Sequence, residues 1–190
     1  MGWPVAGPLR IFVLALLWLL AGAGANAPHA EETEGGSGTM QIQSSAFNEG
    51  DTIPTKHTCE GEDVSPQFSW SAPPEGTRSL ALICDDPDAP VGTWVHWVLF
   101  GLAADTTELP EDVPDGEEVL AGAKHGRNDF GALGYGGPCP PPGPAHRYFF
   151  KLYALDFEPA LGAGASKAEL MSEIAGHILA EGRLMGRYGR

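Results

Sequence analysis

Apolar and polar positions alternate most clearly in two stretches of the chain, His146–Leu155 and Trp94–Phe100. A period near two predicts a strand in each. In the first, His146, Tyr148, Phe150 and Leu152 fall on one face and Arg147 points to the other; in the second, Trp94, His96, Val98 and Phe100 share a face. Ser79–Cys84 is apolar on both faces, as in a strand buried between layers. Met40–Gln43 alternates as a strand, and Pro66–Trp70 reads as a further short one. One helix is marked: Ser166-Lys167-Ala168-Glu169 forms a capping box, Leu170, Ile174 and Ile178 lie on one face, and Gly182 follows as a stop. Leu102–Glu118 is acidic and irregular and reads as a surface excursion. Short strands between Gly/Pro turns, with one late helix, predict a mainly β fold, a β-sandwich with a C-terminal helix.

Both alternating strands open on a histidine beside a stiff turn. Gly134–Pro144 is Gly and Pro apart from Tyr135 and Cys139, a composition compatible only with a shaped loop. Asp85-Asp86-Pro87-Asp88-Ala89-Pro90 is an acidic turn pinned by prolines. A histidine on an apolar face needs a hydrogen-bond partner, since leaving a buried polar group unpaired costs about 1–3 kcal/mol. For His96 the nearby Asp86 or Asp88 is expected to supply it.

The block Asp86-Pro87-Asp88-Ala89-Pro90 with His96 downstream, and Gly137-Pro138 with His146-Arg147-Tyr148, resemble the two signature blocks of the phosphatidylethanolamine-binding protein (PEBP) family, closest to its bacterial Raf-kinase-inhibitor-like (YbhB/YbcL-type) branch. Thr58-Cys59-Glu60-Gly61, Ser65-Pro66, Gly134-Tyr135 and Tyr153-Ala154-Leu155-Asp156 are similar to that branch as well, so the resemblance runs from about Met40 to Tyr188. It implies a large antiparallel sheet packed on a smaller one. It also implies a small anion pocket lined by Asp86, His96, His146 and Tyr148, with Pro90, Trp94, Gly137 and Pro138 as walls and Asp88 in the same acidic block. The implied function is that of a non-catalytic binding protein for a phosphorylated or carboxylated ligand, or for a protein partner such as a protease or kinase-like protein, with no cofactor. Only five residues separate Pro90 from His96, so an insertion typical of eukaryotic members is missing, which argues against kinase regulation.

Composition narrows the setting. With 11 Lys plus Arg against 25 Asp plus Glu the net charge is −14, which disfavours nucleic acid and anionic lipid surfaces as partners and requires any anion site to be local. Residues 1–25 carry one charged side chain, Arg10, then the apolar run Ile11–Leu20 and small residues ending in Ala23-Gly24-Ala25. This is the pattern of a cleaved signal peptide, too short for a membrane anchor, and it predicts an exported protein, periplasmic or secreted. Residues 26–39 read as a disordered spacer, leaving 40–190 as one domain. Of three cysteines, Cys84 belongs to the apolar strand; Cys59 and Cys139 lie in loops beside the family motifs and are the pair a disulfide would join. No cysteine spacing suits zinc. His29, His57, His125 and His177 read as structural or solvated. Two other chemistries use the same residues: a hydrolase in which Asp86 orients His96 as a base, which lacks a nucleophile in either block, and a metal site on Asp86, Asp88, His96 and His146.

Overall fold

The computed structural model describes Met1, Gly2 and residues 38–190. The expected leader and spacer therefore lie outside the described residues except at Met1, Gly2, Gly38 and Thr39. In chain order the strands are β1 (Gly38–Thr39), β2 (Ile42–Ser44), β3 (Phe68–Trp70), β4 (Ser79–Asp86), β5 (Trp94–Ala103), β6 (Glu108–Leu109), β7 (Glu118–Val119), β8 (Ala123–His125), β9 (His146–Leu155) and β10 (Ile178–Tyr188), with helix α1 (Lys167–Ile174) before the last. Seven form a sheet in the order β1-β10-β9-β4-β5-β8-β7, and β2-β3-β6 form a smaller one. All pairings are antiparallel except β1 with β10.

The main core lies between the two sheets, where Phe68, Trp70 and Leu109 meet Leu80, Leu82, Trp97, Leu99, Phe150 and Leu152. Burying each such side chain is worth about 1.5–3 kcal/mol. A second core covers the other face of the large sheet, where Leu170 and Ile174 of α1 pack on Ala81, Ile83, Val98 and Phe100. Because β4 is covered on both faces, all eight of its residues are buried, as its unbroken apolar run predicts.

Three expectations need correction. The helix ends at Ile174; Gly176, at φ +84°, reverses the chain, and Ile178 starts β10 instead of continuing the helical face. Gly182 is small for a reason unrelated to helix termination: a Cβ there would sit 2.7 Å from the Met40 carbonyl oxygen. Leu102–Glu118 is more than an excursion, since it supplies β6 and buries Leu109 and Val113. The last two residues of the expected spacer, Gly38 and Thr39, pair with Ala180 and Glu181 of β10.

Candidate anion pocket

The architecture brings the two histidine strands to one place. β4 runs antiparallel to both β5 and β9, so its C-terminal end meets the N-terminal ends of its two neighbours. Asp86, Trp94, His96, His146 and Tyr148 therefore gather at one end of the sheet, capped by the 87–93 turn and the Gly134–Ala145 loop. They line a cavity of about 220 Å³ together with Ala89, Pro90, Val91, Phe130, Cys139, Pro140 and Pro141.

The two histidines are held differently. His96 is the extra residue of a β-bulge: Cys84 pairs with Trp97 and Asp85 with Val95, leaving His96 unopposed. The bulge changes the faces, so Val95 joins Val98 and Phe100 beneath α1, while His96 packs on Tyr148 at 5.1 Å between ring centroids. The strict alternation expected from Trp94 to Phe100 is broken at this point. The hydrogen-bond partner of His96 is neither aspartate. Its Nδ1–H donates to the Gly136 carbonyl at 2.6 Å, and Gly136 N–H donates back to the His96 carbonyl at 3.0 Å. That tautomer leaves the lone pair on Nε2. Burial lowers the pKa of His96 from its ordinary 6.5, against the opposing pull of the Gly136 carbonyl and the Asp86 charge.

Asp86 serves His146 instead. His146 Nδ1 donates to Asp86 Oδ2 at 2.8 Å, and Asp86 Oδ1 accepts the backbone N–H of Asp88 at 2.8 Å. The second aspartate is committed outside the cavity. The Arg147 guanidinium grips Asp88 with two hydrogen bonds, 2.8 and 2.7 Å, holding that carboxyl down at about 2. Asp88 thus anchors the turn to β9, while Asp86, two residues before it, lines the cavity.

Two donors at the cavity have no hydrogen-bond partner among the described residues: the Tyr148 hydroxyl and the Trp94 indole N–H, both buried. Burial and the Asp86 charge push the Tyr148 phenol well above its ordinary range, so it stays protonated. Both unpaired donors belong to residues that line the cavity, beside the two histidines. Among the described residues no three His, Cys, Asp or Glu side chains are grouped to hold a metal ion.

Gly137 and Pro138 are not among the residues that line the cavity; they fix the strip that does. Gly137 N–H donates to Asp63 Oδ1 at 2.7 Å, and Pro138 O accepts from Cys59 N. Any Cβ on Gly137 would lie 2.5 Å from the His57 carbonyl oxygen, so only glycine fits there. Cys59 and Cys139 form a disulfide with Cα atoms 5.4 Å apart, which ties the cavity wall Cys139–Pro141 to the Thr58–Gly61 loop and leaves Cys139 without a thiol.

Sequence reasoning missed Phe130 and Val91. Apart from Met1 they are the large apolar residues most exposed among those described, at 50% and 78%, and both stand at the cavity lip. Phe130 packs edge-on against Trp94 at 5.4 Å and His96 at 5.3 Å. Its signal was an aromatic between Asp129 and Gly131, a turn whose Asp129 Oδ2 accepts the Val95 N–H at 2.7 Å.

A two-sheet antiparallel sandwich with one helix and a small pocket where three strands end places the chain among the mainly β folds. A model of the phosphatidylethanolamine-binding protein family matches residues 43–189, and the chain belongs to that family. It is 50% identical over 151 residues to a UPF0098 protein of the archaeon Methanothermobacter thermautotrophicus, covering 80% of this chain and 99% of the relative. The crystal structure of Escherichia coli YbcL, described as a new member of the mammalian PEBP family, superposes with a TM-score of 0.75 at 36% identity, covering 80% of this chain and 98% of YbcL. A PEBP homologue from Chlamydia trachomatis gives a TM-score of 0.73 at 38% identity, with 81% and 99% covered.

Proposed function

We propose that this chain is an exported, non-catalytic binding protein whose pocket receives the phosphate- or carboxylate-type head group of a small ligand or of a protein partner. The observation that carries the reading is the convergence of His96, His146 and the unpaired Tyr148 and Trp94 donors on one cavity. An anion there gains charge-assisted hydrogen bonds, each stronger than a neutral one, from side chains that are themselves largely buried. Catalysis is disfavoured by the chemistry of the lining: Asp86 is spent on His146 and does not orient His96, and Cys139 is held as a disulfide. Export rests on the leader pattern of residues 1–25.

Calorimetry with inorganic phosphate and O-phosphoethanolamine, with and without a chelator, tests the pocket. Saturable binding that survives the chelator and is lost in His96→Ala/His146→Ala is expected. Binding that persists in that double variant, or that depends on added divalent metal, overturns the reading. Mass spectrometry of the secreted or periplasmic protein tests export, with a mature chain beginning between Gly24 and Pro28 as the expected result.

A further inference from the structure

Asp85 and Asp86 are neighbours on β4 and point to opposite faces of the large sheet. Asp86 faces the histidine pocket; Asp85 faces the α1 side, where it is almost fully buried. Lys151 Nζ donates to both Asp85 oxygens at 2.9 Å, and Lys167, the first residue of α1, donates to Oδ2 as well. One lysine neutralises a buried carboxylate, and here two are supplied. A third cation, Arg183, is exposed, and its side chain makes no hydrogen bond or ion pair among the described residues; its guanidinium lies over the Phe149 ring at 5.2 Å. Arg147 and Lys151 approach the same ring at 5.7 and 5.8 Å.

These side chains border a cavity of about 310 Å³ lined by Asp85, Thr93, Phe149, Lys151, Lys167 and Arg183, with Pro87 at its edge. Three cations face one carboxylate in a protein of net charge −14 that has only 11 Lys and Arg in all. Glu181, two residues from Arg183, borders the adjoining groove, and Asp88 holds Arg147 through its own bidentate pair, so neither removes the excess at this cavity. Each cation gains from the ring face, but the cations repel one another, and a bound anion would relieve that repulsion. We propose that this cavity is a second anion site, on the face of the large sheet opposite the histidine pocket, that takes a phosphate- or sulfate-type oxyanion. Arg183 supplies a planar pair of donors, Lys167 and Lys151 supply the charge, and Phe149 forms an apolar floor that holds the cations in place. The site is independent of the pocket: it shares no residue with the pocket except through the backbone of β4 and β9.

The test is a titration of the full chain with inorganic sulfate, which stays fully ionised near neutral pH, against sodium chloride at matched ionic strength, followed by backbone amide NMR. Saturable shifts at Thr93, Phe149, Lys151 and Lys167 are expected with sulfate and not with chloride. Arg183→Gln, an exposed change that leaves both cores intact, should weaken this binding at least about tenfold, through the loss of the charged donor pair. His96→Ala/His146→Ala should leave it unchanged. Shifts that fail to saturate, that match those in chloride, or that survive Arg183→Gln while vanishing in the histidine variant overturn the proposal.

Discussion

His96 is pushed toward its neutral form by burial, while its hydrogen bond to the Gly136 carbonyl fixes Nδ1 and opposes that shift, and both follow from its place on a bulge between Tyr148 and Phe130. Its folded pKa lies below 6.5, so between that value and the folded pKa the unfolded chain binds the extra proton and stability falls as the pH is lowered. His125, also buried with a lowered pKa, adds to the same slope. Thermal unfolding of the ligand-free protein should show a loss of stability on acidification from neutral pH; a flat profile would contradict the burial of both rings. A bound anion stabilises imidazolium, so phosphate should bind with proton uptake and tighten as pH falls, until the ligand itself protonates. Phe130→Ala should raise the His96 pKa toward 6.5 by wetting the ring, read directly from imidazole NMR. His146→Ala should cost about 1.5–3 kcal/mol of phosphate binding, the range for a hydrogen bond to a charged group. Asp86→Asn tests the partner: because Asp86 accepts from His146, losing its charge should weaken binding about tenfold despite removing a negative group from the site. At this scale the sequence revealed which histidines open strands and which turns flank them. It could not reveal that Asp86 serves His146, because β4 and β9 are 60 residues apart there and only the sheet register brings them together. Nor could it reveal the bulge, since an extra residue in a strand has no signature in a period-two pattern.

Among the elements, β10 is the instructive omission. Its inward positions are Ala180, Gly182, Leu184, Gly186 and Tyr188, so alternation is real, but two glycines keep it from reading as apolar. Those glycines are small because the rest of the fold presses on this strand: a Cβ on Gly186 would lie 2.5 Å from Ile53 and 2.9 Å from Phe47. Gly186→Ala should therefore overpack the main core and cost about 1–3 kcal/mol in urea unfolding. α1 was legible at its start because a capping box is local: Ser166 accepts the Glu169 N–H while Glu169 reaches back to Ser166 N. Its end was not, because Gly176 and strand pairing overrode the helical spacing of Ile178. Ser166→Ala should cost about 1 kcal/mol. The Cys59–Cys139 bridge spans a sequence separation of 80 residues, and removing it by paired serine substitution should cost about 2–4 kcal/mol, because the unfolded chain regains the freedom of a long loop. Since Cys139 lies in the pocket wall, the same variant should also weaken phosphate binding; unchanged affinity would show that the prolines alone hold the wall.

For the whole molecule the dominant quantity is a net charge of −14, which repels every anion at long range, while both candidate anion sites attract at short range. Salt separates the two effects. At physiological ionic strength the Debye length is about 8 Å, so the repulsion from scattered surface carboxylates is screened, whereas contacts inside a buried cavity are screened much less. The histidine pocket is lined by buried groups, His96, His146 and Tyr148, and its polarity comes from imidazoles and hydroxyl or indole donors instead of exposed cations. Its phosphate affinity should therefore hold steady or rise as sodium chloride is increased from low to physiological levels. The cavity beside Phe149 depends on the exposed Arg183 and the half-buried Lys151 and Lys167, so its attraction is itself screened and its affinity should fall over the same range. Residue-resolved titrations at several salt concentrations measure both slopes in one sample. Parallel declines at His96 and Phe149 would mean that the pocket, too, is governed by exposed charge, and that the acidity of the rest of the chain has no influence on what enters it.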